Sequence, residues 1–185
     1  MFDRLVPTSV FRAHWKALSD YRSSGKPRPD WVTRAVVVGL PAIVTVLGWW
    51  TGLELKSPEG LLAALALLAG GFLTAFTHLS TVRMKLADRE DVWGEAERID
   101  RDSIDETSAH LLAASYLSGV AAALLVLGFN FGATEEGNIA GVWAALASGA
   151  MTYVLVLFLV SLPRLYSAYA LYANVRNELS GTHKG

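Results

Sequence analysis

Any chemistry in this chain must come from histidines, hydroxyls and carboxylates. There is no cysteine, and so no thiolate nucleophile, disulfide or thiolate metal site. Of the four histidines, His14 and His183 fall in polar flanking stretches. His78 is expected to be buried near the end of the second of four apolar segments, and His110 stands at the start of the third. Two histidines from facing helices form the ligand set that holds a haem iron. His78 and His110 are therefore the candidates for a haem-binding redox subunit, although helical rise separates them in depth by ~8 Å. A hydrogen bond from His78 to a nearby serine or tyrosine is the simpler expectation, and no cofactor or metal is assigned.

Catalytic patterns are otherwise missing. The sequence holds no HExxH, no phosphate-binding glycine loop and no Ser-His-Asp arrangement within the apolar segments, so no enzyme activity is expected. Asp100-Arg101-Asp102 resembles the opening of a calcium loop. Ile104 occupies its third ligand position and no glycine follows, which breaks the pattern. No Asp or Glu lies inside an apolar segment, which argues against carboxylate-driven proton coupling.

Hydroxyl and small side chains form the more regular pattern. In the second segment Gly70, Thr74, Thr77 and Thr81, preceded by Ala66, recur at spacings of three and four. In the third, Ser115, Gly119 and Ala123 do the same, and in the fourth Gly141, Ala145, Gly149 and Thr152. Such spacing places each set on one helix face. In lipid the hydrophobic effect does not drive helices together, and small residues that permit close backbone approach do so instead. These lines are expected first to pack helices. Three of them exceed what one bundle seam needs, which points to self-association. The threonines would also suit a path between subunits, where hydroxyls solvate ions weakly without fixed charge.

The elements that position these residues follow from the apolar segments, about Val32–Trp50, Leu61–Val82, Ala109–Phe131 and Ile139–Leu162. Each is close to 20 residues, which at 1.5 Å per residue spans ~30 Å, the hydrocarbon thickness of a bilayer. Trp31 and the Trp49-Trp50 pair bracket the first, as interfacial tryptophans do. Pro41 sits inside it and is expected to remove the hydrogen bond to Val37. Fifteen of the sixteen Lys and Arg residues fall toward one side of these segments: six in the N-terminal arm together with Arg34 at the inner end of the first segment, five in the longer loop and three in the tail. The exception is Lys56. Cations are retained inside the cell, so the expected fold is an all-α, antiparallel four-helix transmembrane bundle with both termini cytoplasmic, in a bacterial inner or plasma membrane.

The arm and linker (1–30), the four-span domain (31–165, with a cytoplasmic loop over 84–107) and an interfacial tail (166–185) complete the organisation. In the arm, Val10, Phe11, His14, Trp15 and Leu18 share one helical face, opposite Arg12 and Lys16. That pattern fits the lipid interface and packing on the protein's own end equally. The loop is acidic. Trp93 and Ile99 stand apolar within it and are the expected anchors for a soluble partner. The basic residues of the arm are scattered and the pI is near 6.4, so nucleic acid is not an expected partner. The leading functional expectation is a non-catalytic, self-associating subunit that conducts ions or perturbs the bilayer, of the kind that acts in phage defence or exclusion. The rivals are an anchor that recruits a soluble protein, and the haem-binding subunit.

Overall fold

A computed structural model describes residues 8–20, 28–87 and 95–172. It is almost entirely helical: α1 (Thr8–Ala17), α2 (Trp31–Thr51), α3 (Pro58–Ala87), α4 (Glu95–Phe131) and α5 (Gly141–Tyr172). Four of these, α2 to α5, are long and apolar enough to cross a membrane, as a multi-pass membrane protein requires. Two-residue strands β1 (Ser19–Asp20) and β2 (Arg28–Pro29) pair antiparallel and return the chain from α1 to α2.

Local chemistry sets the helix ends. The Asp30 side chain accepts from the backbone N–H of Val32 and Thr33 and caps the free donors of the first turn of α2. Gly52, with φ 67°, takes the left-handed conformation that closes a helix C-terminus without steric cost. Pro41 does not interrupt α2. It lies buried, and the Thr45 hydroxyl donates to its carbonyl at 2.9 Å. The fourth helix starts later than the hydropathy suggests. Ile139 belongs to the turn, exchanging backbone hydrogen bonds of 2.9 and 3.0 Å with Leu55. The longer loop is mostly helix, because α3 reaches Ala87 and α4 begins at Glu95, just past Gly94.

The spanning helices pack in the order α2–α5–α4–α3, with α1 laid across α4. In their apolar stretches α2 and α3 bury 17% and 11% of residues, against 39% and 44% for α4 and α5. The two central helices thus hold the core, and the flanking two present most of their surface outward. One core cluster, with Leu18, Val37, Phe72, Leu111, Val154 and Leu157, lies toward α1. The other, with Leu65, Ala121, Leu125, Ile139 and Ala147, lies toward the turns.

At the α2–α5 crossing the backbones approach closely. A Cβ on Gly149 would collide with Thr45 Oγ1 and lie 3.1 Å from the Pro41 carbonyl oxygen, and one on Gly48 would sit 3.7 Å from Ala145 Cα. At the turn end, Asn138 Nδ2 donates to Glu54 and Glu136 at 3.2 and 3.3 Å and so joins the two turns. A cavity of about 240 Å³ opens beside them between α3 and α4, lined by residues including Leu62, Leu125 and Phe129.

Candidate functional site

The densest polar constellation lies where α1 meets α4 and α5. His14 projects from the apolar face of α1, His110 from α4, and Tyr153 and Arg164 from α5. His14 and His110 are 2% and 0% exposed, so water cannot satisfy their ring nitrogens and protein groups must. They do so in sequence. His14 Nδ1 lies 2.7 Å from His110 Nδ1, His14 Nε2 lies 3.2 Å from the Tyr153 hydroxyl, and His110 Nε2 lies 2.9 Å from Arg164 Nη1. The same Arg164 nitrogen reaches Glu106 Oε2 and the Ala17 carbonyl, each at 3.2 Å. The guanidinium therefore ties the last turn of α1 to α4.

Donor and acceptor roles along this chain follow from one fact: a guanidinium carries donors only. His110 Nε2 must accept from Arg164, which puts the His110 proton on Nδ1. That N–H donates to His14 Nδ1, so the His14 proton sits on Nε2 and donates to the Tyr153 oxygen. Both imidazoles are neutral and each ring nitrogen is used once. A further proton is poorly accommodated: near His110 the Ala17 carbonyl could accept it, but that carbonyl already accepts from Arg164 at 3.2 Å. On His14 Nδ1 it would face the His110 N–H; on His110 Nε2 it would face Arg164. Burial, reinforced by the nearby Arg164 charge, lowers the His14 pKa from 6.5 to about 4, the direction expected for a desolvated imidazole beside a cation.

A second tie fastens the same helix. Arg34 donates from Nε to the Leu18 carbonyl at 3.2 Å and from Nη2 to the Trp15 carbonyl at 3.1 Å. Its guanidinium also lies 4.8 Å from the Trp15 ring centroid and 5.8 Å from that of Trp31, within cation–π range. Phe11 meets Tyr116 edge-on at 5.5 Å. Of the two readings of the arm, packing on the protein's own end is the one seen.

The residues singled out from sequence separate into three environments. On α3, Gly70, Thr74, Thr77 and Thr81 are exposed and do not pack a seam within the chain. Each threonine donates to the carbonyl four residues earlier, so its hydroxyl oxygen faces outward as an acceptor. On α4, Ser115 crosses to α3 by donating to the Ala69 carbonyl at 3.2 Å, but Gly119 is exposed and a Cβ there would meet nothing within 4 Å. On α5, Ala145 and Gly149 are buried against α2. Gly141 instead starts the helix at φ 68°, a conformation that favours glycine. Trp93 lies outside the described residues, as does the side chain of Ile99.

The expectation of a buried His78 is corrected. His78 is exposed on α3, on the face that carries Thr74, Thr77 and Thr81, while His110 is committed to His14 and Arg164. The small size of its neighbours made His78 look like part of a packed seam, but helical spacing defines a face and not what the face meets. The His14–His110 pair was not read from sequence, since 96 residues separate its members. The available signal was a histidine on the apolar face of an amphipathic arm, where burial obliges it to find a polar partner. Among the described residues no group of three or more His, Asp or Glu is placed to hold a metal ion. No family model, curated protein or solved structure matches the chain.

Proposed function

We propose that the protein is a non-catalytic subunit of a bacterial cell membrane, with both termini cytoplasmic, that self-associates and conducts ions between subunits along α3. One observation carries this reading. Gly70, Thr74, Thr77, His78 and Thr81 form an exposed small and polar line on α3, a helix long and apolar enough to cross a membrane. In hydrocarbon an outward imidazole and a row of hydroxyls are costly unless covered by protein or water. A second copy of α3, or a water-filled path among several copies, supplies that cover. The threonine oxygens then offer acceptors without a fixed charge, a lining compatible with weak ion solvation. The orientation rests on the retention of cations on one side.

The test is conductance of purified protein in planar bilayers. Thr74→Leu and Thr77→Leu should reduce or abolish it, and Leu159→Ala, on the exposed outer side of α5, should not. Silence of the wild type across voltage and pH refutes conduction. Unaltered currents in both threonine variants refute the assignment to α3. The haem reading is disfavoured by the placement of its ligands, since His78 and His110 stand in different environments.

A further inference from the structure

The polar network where α1 crosses the middle of α4 and α5 does nothing for a path along α3, yet among the described residues it is a buried, extensively hydrogen-bonded cluster. We propose that α1 is a proton-released latch: a proton taken up by the His14–His110 pair breaks the hydrogen-bond chain running from Tyr153 to Arg164 and unseats α1 from α4 and α5.

The geometry gives the reason. The pair shares one hydrogen between two Nδ1 atoms 2.7 Å apart, and the outer nitrogen of each ring is already engaged. Protonating either ring turns an acceptor into a second donor facing a donor. Such a clash costs a buried hydrogen bond and leaves polar groups without water. It also adds a positive charge to a site that holds Arg164.

The surrounding charges do not offset this. From α4, Glu106 faces the site but already accepts from Arg164. From α5 come Arg164 and the neutral Tyr153. From α2, Arg34 holds the Trp15 and Leu18 carbonyls beside the site, and Asp30 caps its own helix. α1 itself contributes Arg12 and Lys16, both exposed on its outer side. Asp105 of α4 pairs with Arg83 of α3 at 3.0 Å. Cations therefore outnumber carboxylates around the two rings, and a further positive charge within them is repelled.

The sign follows from linkage. The seated His14 has its pKa lowered to about 4, against 6.5 when free in water. Seating is complete above the free value and is lost as pH falls from there toward the seated one. At pH 4.5 one such proton weakens seating by roughly two orders of magnitude.

The chain has no cysteine, so a spin-label pair at Ser9→Cys on α1 and Met84→Cys on α3 reports seating in the full-length protein in nanodiscs. A second pair, Leu67→Cys with Val126→Cys, reports the α3–α4 packing. Electron–electron distances measured on samples frozen at pH 8 and pH 4.5 should show the α1 pair change from a narrow to a broad distribution while the α3–α4 pair stays narrow. His14→Phe, which fills the site and binds no proton, should keep α1 seated at pH 4.5. Arg83→Gln should respond like the wild type. The proposal is overturned by an α1 pair unchanged at pH 4.5, by both pairs broadening together, or by full acid release in a folded His14→Phe protein. The wild-type titration decides the matter even if that variant does not fold. None of these readouts depends on conduction.

Discussion

Gly149 gives the sharpest energetic test of how the spanning helices pack. A Cβ there would collide with Thr45 Oγ1 and lie 3.1 Å from the Pro41 carbonyl oxygen. The hydroxyl escapes only by abandoning its bond to that carbonyl, and the carbonyl moves only if α2 moves. Forcing a methyl into such a contact costs about 1–3 kcal/mol. Against this, Gly→Ala in a helix interior gains about 0.5–1 kcal/mol. The same gain applies at Gly70 and Gly119, where an added Cβ meets nothing within 4 Å. The difference between Gly149→Ala and either reference therefore isolates the crossing, at about 1–3 kcal/mol. Reversible unfolding by SDS in mixed micelles, followed by circular dichroism at dilutions where the protein is monomeric, measures it. Adding Thr45→Ala to Gly149→Ala should recover part of the loss, the remainder being the carbonyl contact. If Gly149→Ala matches Gly70→Ala within ~0.5 kcal/mol, the α2–α5 crossing is not as close as described and the reasoning fails.

Two further outcomes are expected. Asp30→Ala should cost about 0.5–2 kcal/mol of α2 end stability, as loss of a capping carboxylate does, read as faster hydrogen exchange at the Val32 and Thr33 amides. In the wild type the Asp30 carboxyl is held below its ordinary pKa, chiefly by the Thr33 hydroxyl and amide; protection should thus be full above the ordinary value and lost as pH falls through the lowered one, and protection factors, corrected for intrinsic exchange, that stay constant across that window would contradict the cap. For orientation, an impermeant maleimide should label Lys56→Cys on intact cells and leave Ser9→Cys unlabelled until the membrane is opened. The reverse pattern would invert the proposed topology.

The four long helices were legible because a stretch of ~20 apolar residues is a strong signal that survives ignorance of packing. Their ends were less so. Ile139 is apolar like the helix that follows, but Gly141 at φ 68° stops α5 from including it, and its backbone pairs with Leu55, 84 positions away. The small-residue lines separate by what they meet. Ala145 and Gly149 meet α2, whereas Gly119 and the α3 line are exposed among the described residues. Spacing says which residues point together; only the order of packing says what they point at. The histidine latch escaped for the same reason. Nothing in the sequence joins His14 to His110 and Arg164, and their pairing exists only because α1 folds back across α4.

Two carbonyls, those of Trp15 and Leu18, join the arm to the first spanning helix. The Leu18 oxygen accepts from the Asp30 amide at 3.3 Å and from Arg34 Nε at 3.2 Å, so the end of α1 and the opening turn of α2 hold a common acceptor. Among the spanning helices α2 packs chiefly against α5. It is built like a lever: the arm is its handle, Gly149 against Pro41 its fulcrum, and the tryptophans at its far end the load. A pull on the handle must either part the bonds at Trp15 and Leu18 or swing the beam.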